Sequence, residues 1–160
     1  RSRGLGDVYK RQAVDFDAIV MAAAAIERLG LSLSDRVVEV LEPTTMLPQV
    51  AQGALAVECR ADDESVRALL GAFDHAATRA AVEAERGFLA ELGGDCDLPV
   101  GAFATVDGDD LTIDALVASV DGTVVLRDHR TGPCVDGVSM GRAMARHLLD
   151  DAGGAALLGR

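Results

Sequence analysis

Apolar positions recur along this chain with two periods, one helical and one strand-like. "DAIVMA" at 17–22 reads as a short buried strand running into a helix, "AAAAIERLG", that Gly30 ends. "RVVEVL" at 36–41 and "ALAVECR" at 54–60 alternate as strands do, with the connector "EPTTMLPQVAQG" between them broken by Pro43 and Pro48. Asp62 or Asp63 can cap a helix whose apolar positions Val66, Leu69, Leu70 and Phe73 fall at i, i+3, i+4 and i+7. Asp74 offers a second cap, and Ala77, Ala81, Ala84, Phe88 and Leu92 then mark one helical face that Gly93 and Gly94 close. Beyond them the period falls to two. Strand-like segments begin at 100, 111 and 123, separated by Asp-Gly pairs at 107–108 and 121–122. A last helix over about 136–152 gathers Val138, Gly141, Ala145, Leu148 and Ala152 on one side, and a Gly-Gly pair at 153–154 stops it.

Helix, three hairpin-linked strands, helix is the order of a small α+β domain over residues 74–160, a three-stranded antiparallel sheet with helices on one face. Residues 13–73 read as α/β material without its partners. No internal repeat interrupts either part.

Composition narrows the functions that remain. The 160 residues carry a net charge of -11, with 49% hydrophobic and 3% aromatic residues, so Ala, Leu and Val must fill the core. Such acidity argues against nucleic acid and against anionic membrane surfaces, since either partner needs a basic patch. The longest apolar run, "AIVMAAAAI" at 18–26, is far short of the roughly 18–20 residues that span a bilayer. Cys59, Cys96 and Cys134 are odd in number and widely spaced, which fits reduced thiols in a cytoplasm. Together with His75, His129 and His147 they lack the paired spacing of a zinc site, so no metal is expected. His75 reads as part of a helix start, and no G-x-S-x-G supports a serine hydrolase. The opening "DVYKRQ" at 7–12 reverse-translates to a transposase end sequence used in sequencing libraries. Residues 1–12 are therefore read as adapter-derived, with the gene's own sequence joining near Ala13 and an N-terminal part missing.

Cys96 poses a chemical question. It follows a helix C-terminus, where the macrodipole is negative, and lies between Asp95 and Asp97. All three influences favour the neutral thiol, so it is badly placed as a cycling nucleophile. By residue type alone it reads as a small loop residue. It can still react once with a strong carbon electrophile to give an inert thioether.

The surrounding residues carry a resemblance. In "ERGFLAELGGDCDLPVG", 85–101, Glu85, Arg86, Phe88, Leu92, Gly94, Cys96, Pro99, Val100 and Gly101 match the cofactor-attachment pattern of the porphobilinogen deaminase (hydroxymethylbilane synthase) family. Asp95 stands where that pattern has glycine, and Leu98 where it has a β-branched residue. "MLPQVAQGALAVECR", 46–60, is similar to a second family segment, with Ala51 replacing a glycine. "DAIVMAAAAIERLGL" and "FDHAATRAAVEAERGFL" resemble two more, so the likeness runs from Ala13 to about Gly101.

The resemblance implies an enzyme, a transferase that joins four porphobilinogen units into a linear tetrapyrrole on the way to haem, chlorophyll and cobalamin. Each unit loses ammonia, and the chain grows from a dipyrromethane cofactor held by one cysteine, here Cys96. It also implies partial α/β periplasmic-binding-like lobes before the α+β domain: 13–48 as the end of domain two, 49–72 crossing to domain one, and 74–160 as the cofactor-attachment domain. The catalytic aspartate and most carboxylate-binding arginines belong to the absent part, so no catalytic residue is expected here and the chain alone should be inactive. Gln52 and Gly53 are the expected cofactor contacts. Arg60 and Arg86 could pair with carboxylates, though each reads more simply as a structural ion-pair member. The implied protein is a cytoplasmic monomer whose partner is its small-molecule substrate. A non-enzymatic acidic α+β ligand- or partner-binding module stands as the alternative.

Overall fold

A computed structural model describes residues 17–94 and 97–159. The adapter-like residues 1–12, and Asp95 and Cys96, lie outside the described residues. The chain divides into two units, Arg1–Val40 and Leu41–Arg160.

The first unit contains one described helix, α1 (Ala23–Arg28), ended by Gly30 at φ +59° as its position required. In the second, α2 (Glu64–Gly71) starts at Asp63, whose carboxylate accepts the Val66 N–H at 3.0 Å. Helix α3 (Ala76–Glu91) follows, then β1 (Val100–Asp107), β2 (Asp110–Ala118) and β3 (Val125–Pro133). A 3₁₀ turn at Cys134–Asp136 leads into α4 (Gly137–Arg146), a π turn at His147–Asp151, and the short α5 (Gly154–Leu157).

The sheet is the expected meander, in the order β1-β2-β3 with both pairs antiparallel. Its first hairpin closes at the Asp107–Asp110 pair, with Gly108 at φ +61° as the first of two loop residues. In the second loop the Asp121 carboxylate accepts from the Ser119 hydroxyl and from the backbone and hydroxyl of Thr123. Leu111, Ile113, Ala115 and Val117 point to the helices and are buried, while Thr112, Asp114 and Leu116 between them are not. The helices thus cover one face. They add Ala81, Ala84, Phe88, Leu92, Met144, Ala145 and Leu148 to the same core. At β3 the inward positions opposite Ala115 and Ile113 are Asp128 and Arg130, which pair with each other at 2.9 Å. An inward ion pair on an edge strand discourages further strands from adding there.

Helices α3 and α4 meet through glycine. A Cβ on Gly141 would lie 2.2 Å from the Ala84 carbonyl oxygen, and one on Gly87 would lie 2.7 Å from that of Val138. Only hydrogen fits at either position.

Four expectations need correction. Segments 17–22, 36–41 and 54–60 are not strands, because no described residue pairs with them and a strand exists only through a neighbour's N–H and C=O groups. Asp74 is not the cap of α3. Its carboxylate is held by the Arg79 guanidinium, and His75 takes the N-cap position with Nδ1 accepting from the Thr78 N–H at 3.2 Å. Along the expected helix 136–152, Val138 and Ala152 are exposed, and Gly137 and Met144 are buried in their place. The π turn lengthens the helical repeat after Arg146, so a face extrapolated at 3.6 residues per turn has drifted off the core by Ala152. Arg86 makes no ion pair with any described residue, whereas Arg60 lies 3.9 Å from Asp63 as expected of a surface pair.

Candidate functional site

Two loops carry the residues singled out in the sequence, and both are fastened to the same core. The first follows α3. Gly93 and Gly94 take positive φ of 90° and 69°, the Gly94 N–H reaches Leu89 O at 2.9 Å and the Gly93 N–H reaches Ala90 O at 3.1 Å. This Schellman ending satisfies the last helical carbonyls and turns the chain sharply out of α3. On the far side of residues 95 and 96, the Val100 N–H bonds to Leu98 O at 2.8 Å around Pro99 and the chain enters β1. Cys96 thus falls in sequence between two anchored turns, and Gly94 and Asp97 beside it are exposed.

The second loop is 47–53. Leu47 is its buried foot, and Val50 packs against the core. The Ala102 N–H on the free edge of β1 donates to Pro48 O at 3.2 Å. Gly101 lies directly beneath: a Cβ there would come within 3.0 Å of Pro48 O and 3.2 Å of Leu47 Cβ. The small residue that closes the attachment pattern is therefore small because another segment rests on it. Ala51 holds φ +57°, the sole non-glycine with positive φ among the described residues, at the position where the family pattern has glycine.

Glu85 joins this loop to the sheet. It is the one buried charged side chain among the described residues, 6% exposed. Its Oε2 accepts the Ala51 N–H at 2.6 Å and its Oε1 accepts the Ala104 N–H at 2.8 Å. Burial pushes its carboxyl above the ordinary glutamate value, and the two amide donors oppose that shift. Sequence reading placed Glu85 in the attachment pattern but missed this role. The available signal was its position on the apolar stripe of α3, four residues after Ala81 and three before Phe88.

Gln52 and Gly53 sit at the exposed tip of the same loop. The Gln52 amide side chain bonds to no described residue, and nothing lies within 4 Å of a Cβ built on Gly53. An open amide can donate and accept, and a bare glycine lets a flat ring approach the backbone. A cavity of about 720 Å³ lies between segment 54–57, α2 and α3, with Arg67, Arg79 and Arg86 on its wall beside Leu55, Val57 and Phe73. Arg79 is engaged by Asp74 and Glu83, whereas Arg67 reaches only the Ala61 carbonyl at 3.3 Å and Arg86 pairs with no described carboxylate, so both leave an uncompensated charge on the wall. Cys59 is exposed and Cys134 half-buried. His129 pairs with Asp114 at 2.8 Å and His147 with Asp151 at 3.0 Å. No three His, Cys, Asp or Glu side chains among the described residues converge as metal ligands would, and no described helix is long and apolar enough to cross a membrane.

Both loops fall within stretches that match known proteins. Residues 79–150 match the family model "Porphobilinogen deaminase, C-terminal domain". Residues 5–68 match a second, "Porphobilinogen deaminase, dipyromethane cofactor binding domain". The chain belongs to the porphobilinogen deaminase family. The family's curated members include the porphobilinogen deaminase of Roseiflexus castenholzii, 48% identical over 143 residues that make up 89% of this chain and 46% of that protein. That of Chromobacterium violaceum is 46% identical over 136 residues, 85% of this chain and 43% of the relative. That of Geotalea uraniireducens is 39% identical over 146 residues, 91% of this chain and 45% of the relative. The chain spans about half the length of the curated porphobilinogen deaminases it matches.

Proposed function

We propose that the complete protein is a porphobilinogen deaminase, a transferase that assembles hydroxymethylbilane from four porphobilinogen units, and that this chain is its cofactor-bearing half. The observation that carries the reading is the run from Glu85 to Gly101. Its Cys96, Pro99 and Gly101 fall inside the C-terminal family match, in a chain 48% identical to a porphobilinogen deaminase.

In this reading Cys96 is the tether. Its sulfur bonds to a methylene carbon that has expelled ammonia, and the thiol proton leaves as the thioether forms. A thiol set in sequence between Asp95 and Asp97 suits a single capture rather than repeated turnover. Dipyrromethane, when bound, offers pyrrole N–H groups and side-chain carboxylates and supplies the free ring end on which the product grows. The residues present fit such a group. Gln52 and Gly53, in the stretch matched to the cofactor-binding model, offer an open amide and unobstructed backbone, and Arg86 offers an uncompensated cation. The aspartate that moves protons during deamination belongs to the half not present. So do most of the arginines that offset a net charge of -11 facing a polycarboxylate substrate.

The remaining parts of the reading are residues 1–12 as adapter sequence, 13–48 as the end of domain two, 49–72 as the crossover to domain one, and periplasmic-binding-like lobes upstream. A cytoplasmic monomer completes it. The test is the Cys96→Ala variant of the complete protein, which is expected to make no hydroxymethylbilane, while the 160-residue chain alone releases no ammonia from porphobilinogen. Undiminished product from Cys96→Ala, or ammonia release by the chain alone, contradicts the proposal.

A further inference from the structure

We propose that Glu85 is a positioning residue: its carboxylate clasps the 47–53 loop to the free edge of β1 and so fixes where Gln52 and Gly53 present themselves. The positioning role rests on the functional reading above; the clasp itself does not.

The argument starts from the edge of the sheet. In the β1–β2 ladder, Ala102 and Ala104 turn their N–H groups away from β2, toward the side of the sheet with no further strand among the described residues. Unpaired edge donors need acceptors or water. Here the loop supplies one through Pro48 O, and Glu85 supplies the next through Oε1. The second oxygen of the same carboxylate then returns to the loop at the Ala51 N–H. One side chain thus closes a ring of contacts: β1 to Glu85, Glu85 to Ala51, and Pro48 back to β1.

Three features make this a built device. Glu85 is buried on the apolar stripe of α3, where an alanine or leucine would otherwise serve packing. Both of its oxygens are engaged, each by a backbone N–H that has no other acceptor among the described residues. And Ala51 accepts a left-handed backbone in order to aim its N–H at Oε2. Gln52 and Gly53 follow Ala51 immediately, so the bond that fixes Ala51 also limits the freedom of the two exposed residues beside it. Glutamine cannot reproduce the clasp, because its amide has one acceptor oxygen for two donors.

Two measurements test it. In the 160-residue chain labelled with ¹⁵N, hydrogen exchange at the Ala51 and Ala104 amides is followed by NMR. Both should be protected in the parent, and in Glu85→Gln at least one should exchange about ten- to a hundred-fold faster. The Phe103 amide, bonded across to β2, should be unchanged and so reports that the sheet is intact. An Ala51 amide in the parent exchanging as fast as that of exposed Leu55, or no change at either amide in Glu85→Gln, overturns the clasp.

In the complete protein, the fraction carrying a covalent two-pyrrole adduct is read by intact mass for Glu85→Gln, Gln52→Ala and the double variant. Positioning predicts that Glu85→Gln lowers loading in the parent but has little further effect once Gln52 is alanine. Independent, additive losses would show a clasp that merely stabilises the fold and would overturn the positioning role. A parent with no adduct would overturn the functional reading and the positioning role with it, while the amide data still judge the clasp.

Discussion

Segment 54–60 and strand β2 have the same alternating pattern and opposite fates. In β2, Leu111, Ile113, Ala115 and Val117 are completely buried, with β1 and β3 on either side and α3 and α4 above. In 54–60, Leu55 and Val57 are 79% and 69% exposed, and no described residue extends a ladder to them. Alternation states only which residues could share a face. Burial needs neighbours on both edges and a layer across the face, and β2 has all of these within 60 residues of chain on either side. The same contrast separates the two halves more broadly. Of the described residues before Ala76, Leu47 alone is buried, and it owes that to the loop clasped against β1.

Each expected effect below probes that contrast, the largest first. Phe88→Ala should cost about 3–5 kcal/mol in urea unfolding of the chain, because Phe88 is fully enclosed by core side chains. Phe73→Ala, at 83% exposed, should stay within about 0.5 kcal/mol. Equal losses from the two would erase the distinction. Gly141→Ala should cost about 1–3 kcal/mol, since its methyl group would meet the Ala84 carbonyl. Gly53→Ala meets nothing within 4 Å and should leave stability unchanged, reserving any effect for cofactor loading.

Ala51→Gly should stabilise by about 1 kcal/mol, because glycine adopts φ +57° without the Cβ clash. Its greater unfolded-state freedom offsets part of that gain.

Acidity should act with opposite signs on the two regions. Glu85 has a raised carboxyl pKa through burial, so its contribution to stability is full below the unfolded value near 4.5 and is lost as pH rises through the folded value. Relative to Glu85→Gln, the parent should therefore weaken as pH climbs across that window. Asp63, at the start of α2, is held below its ordinary value by the Val66 N–H and the Ser65 hydroxyl. Its contribution is present above about 3.8 and is lost as pH falls. Unfolding curves from pH 3 to 8, compared among the parent, Glu85→Gln and Asp63→Asn, check both signs.

How much of this was legible beforehand follows from how local each feature is. The stripe of α3, the Gly30 and Gly93–Gly94 stops, the Asp63 cap and the Asp-Gly hairpin are set within a few residues, and the structure has them where the pattern put them. The three-stranded meander followed from short connections. Strands at 17–22, 36–41 and 54–60 could not be judged the same way, because pairing depends on a partner elsewhere in space. Asp74 and His75 illustrate a finer limit. Both can cap a helix, and the choice went to His75 once Arg79, five residues on, engaged the aspartate. Glu85 was the costliest omission. A charged residue on an apolar stripe signals a buried partner, but its two donors lie 34 residues before and 19 residues after it. Cys96, Gln52 and Gly53 were singled out through resemblance of motif, and the structure adds that the turns flanking Cys96 and the loop bearing Gln52 and Gly53 are anchored to a common core.

The central claim is that Cys96 holds a pyrrole primer for life. Its most direct measurement is the mass of the Cys96 peptide from the complete protein purified after expression. The account predicts a stable adduct of two pyrrole rings on that peptide and on neither the Cys59 nor the Cys134 peptide. An unmodified Cys96 thiol in a protein that still makes hydroxymethylbilane would contradict it.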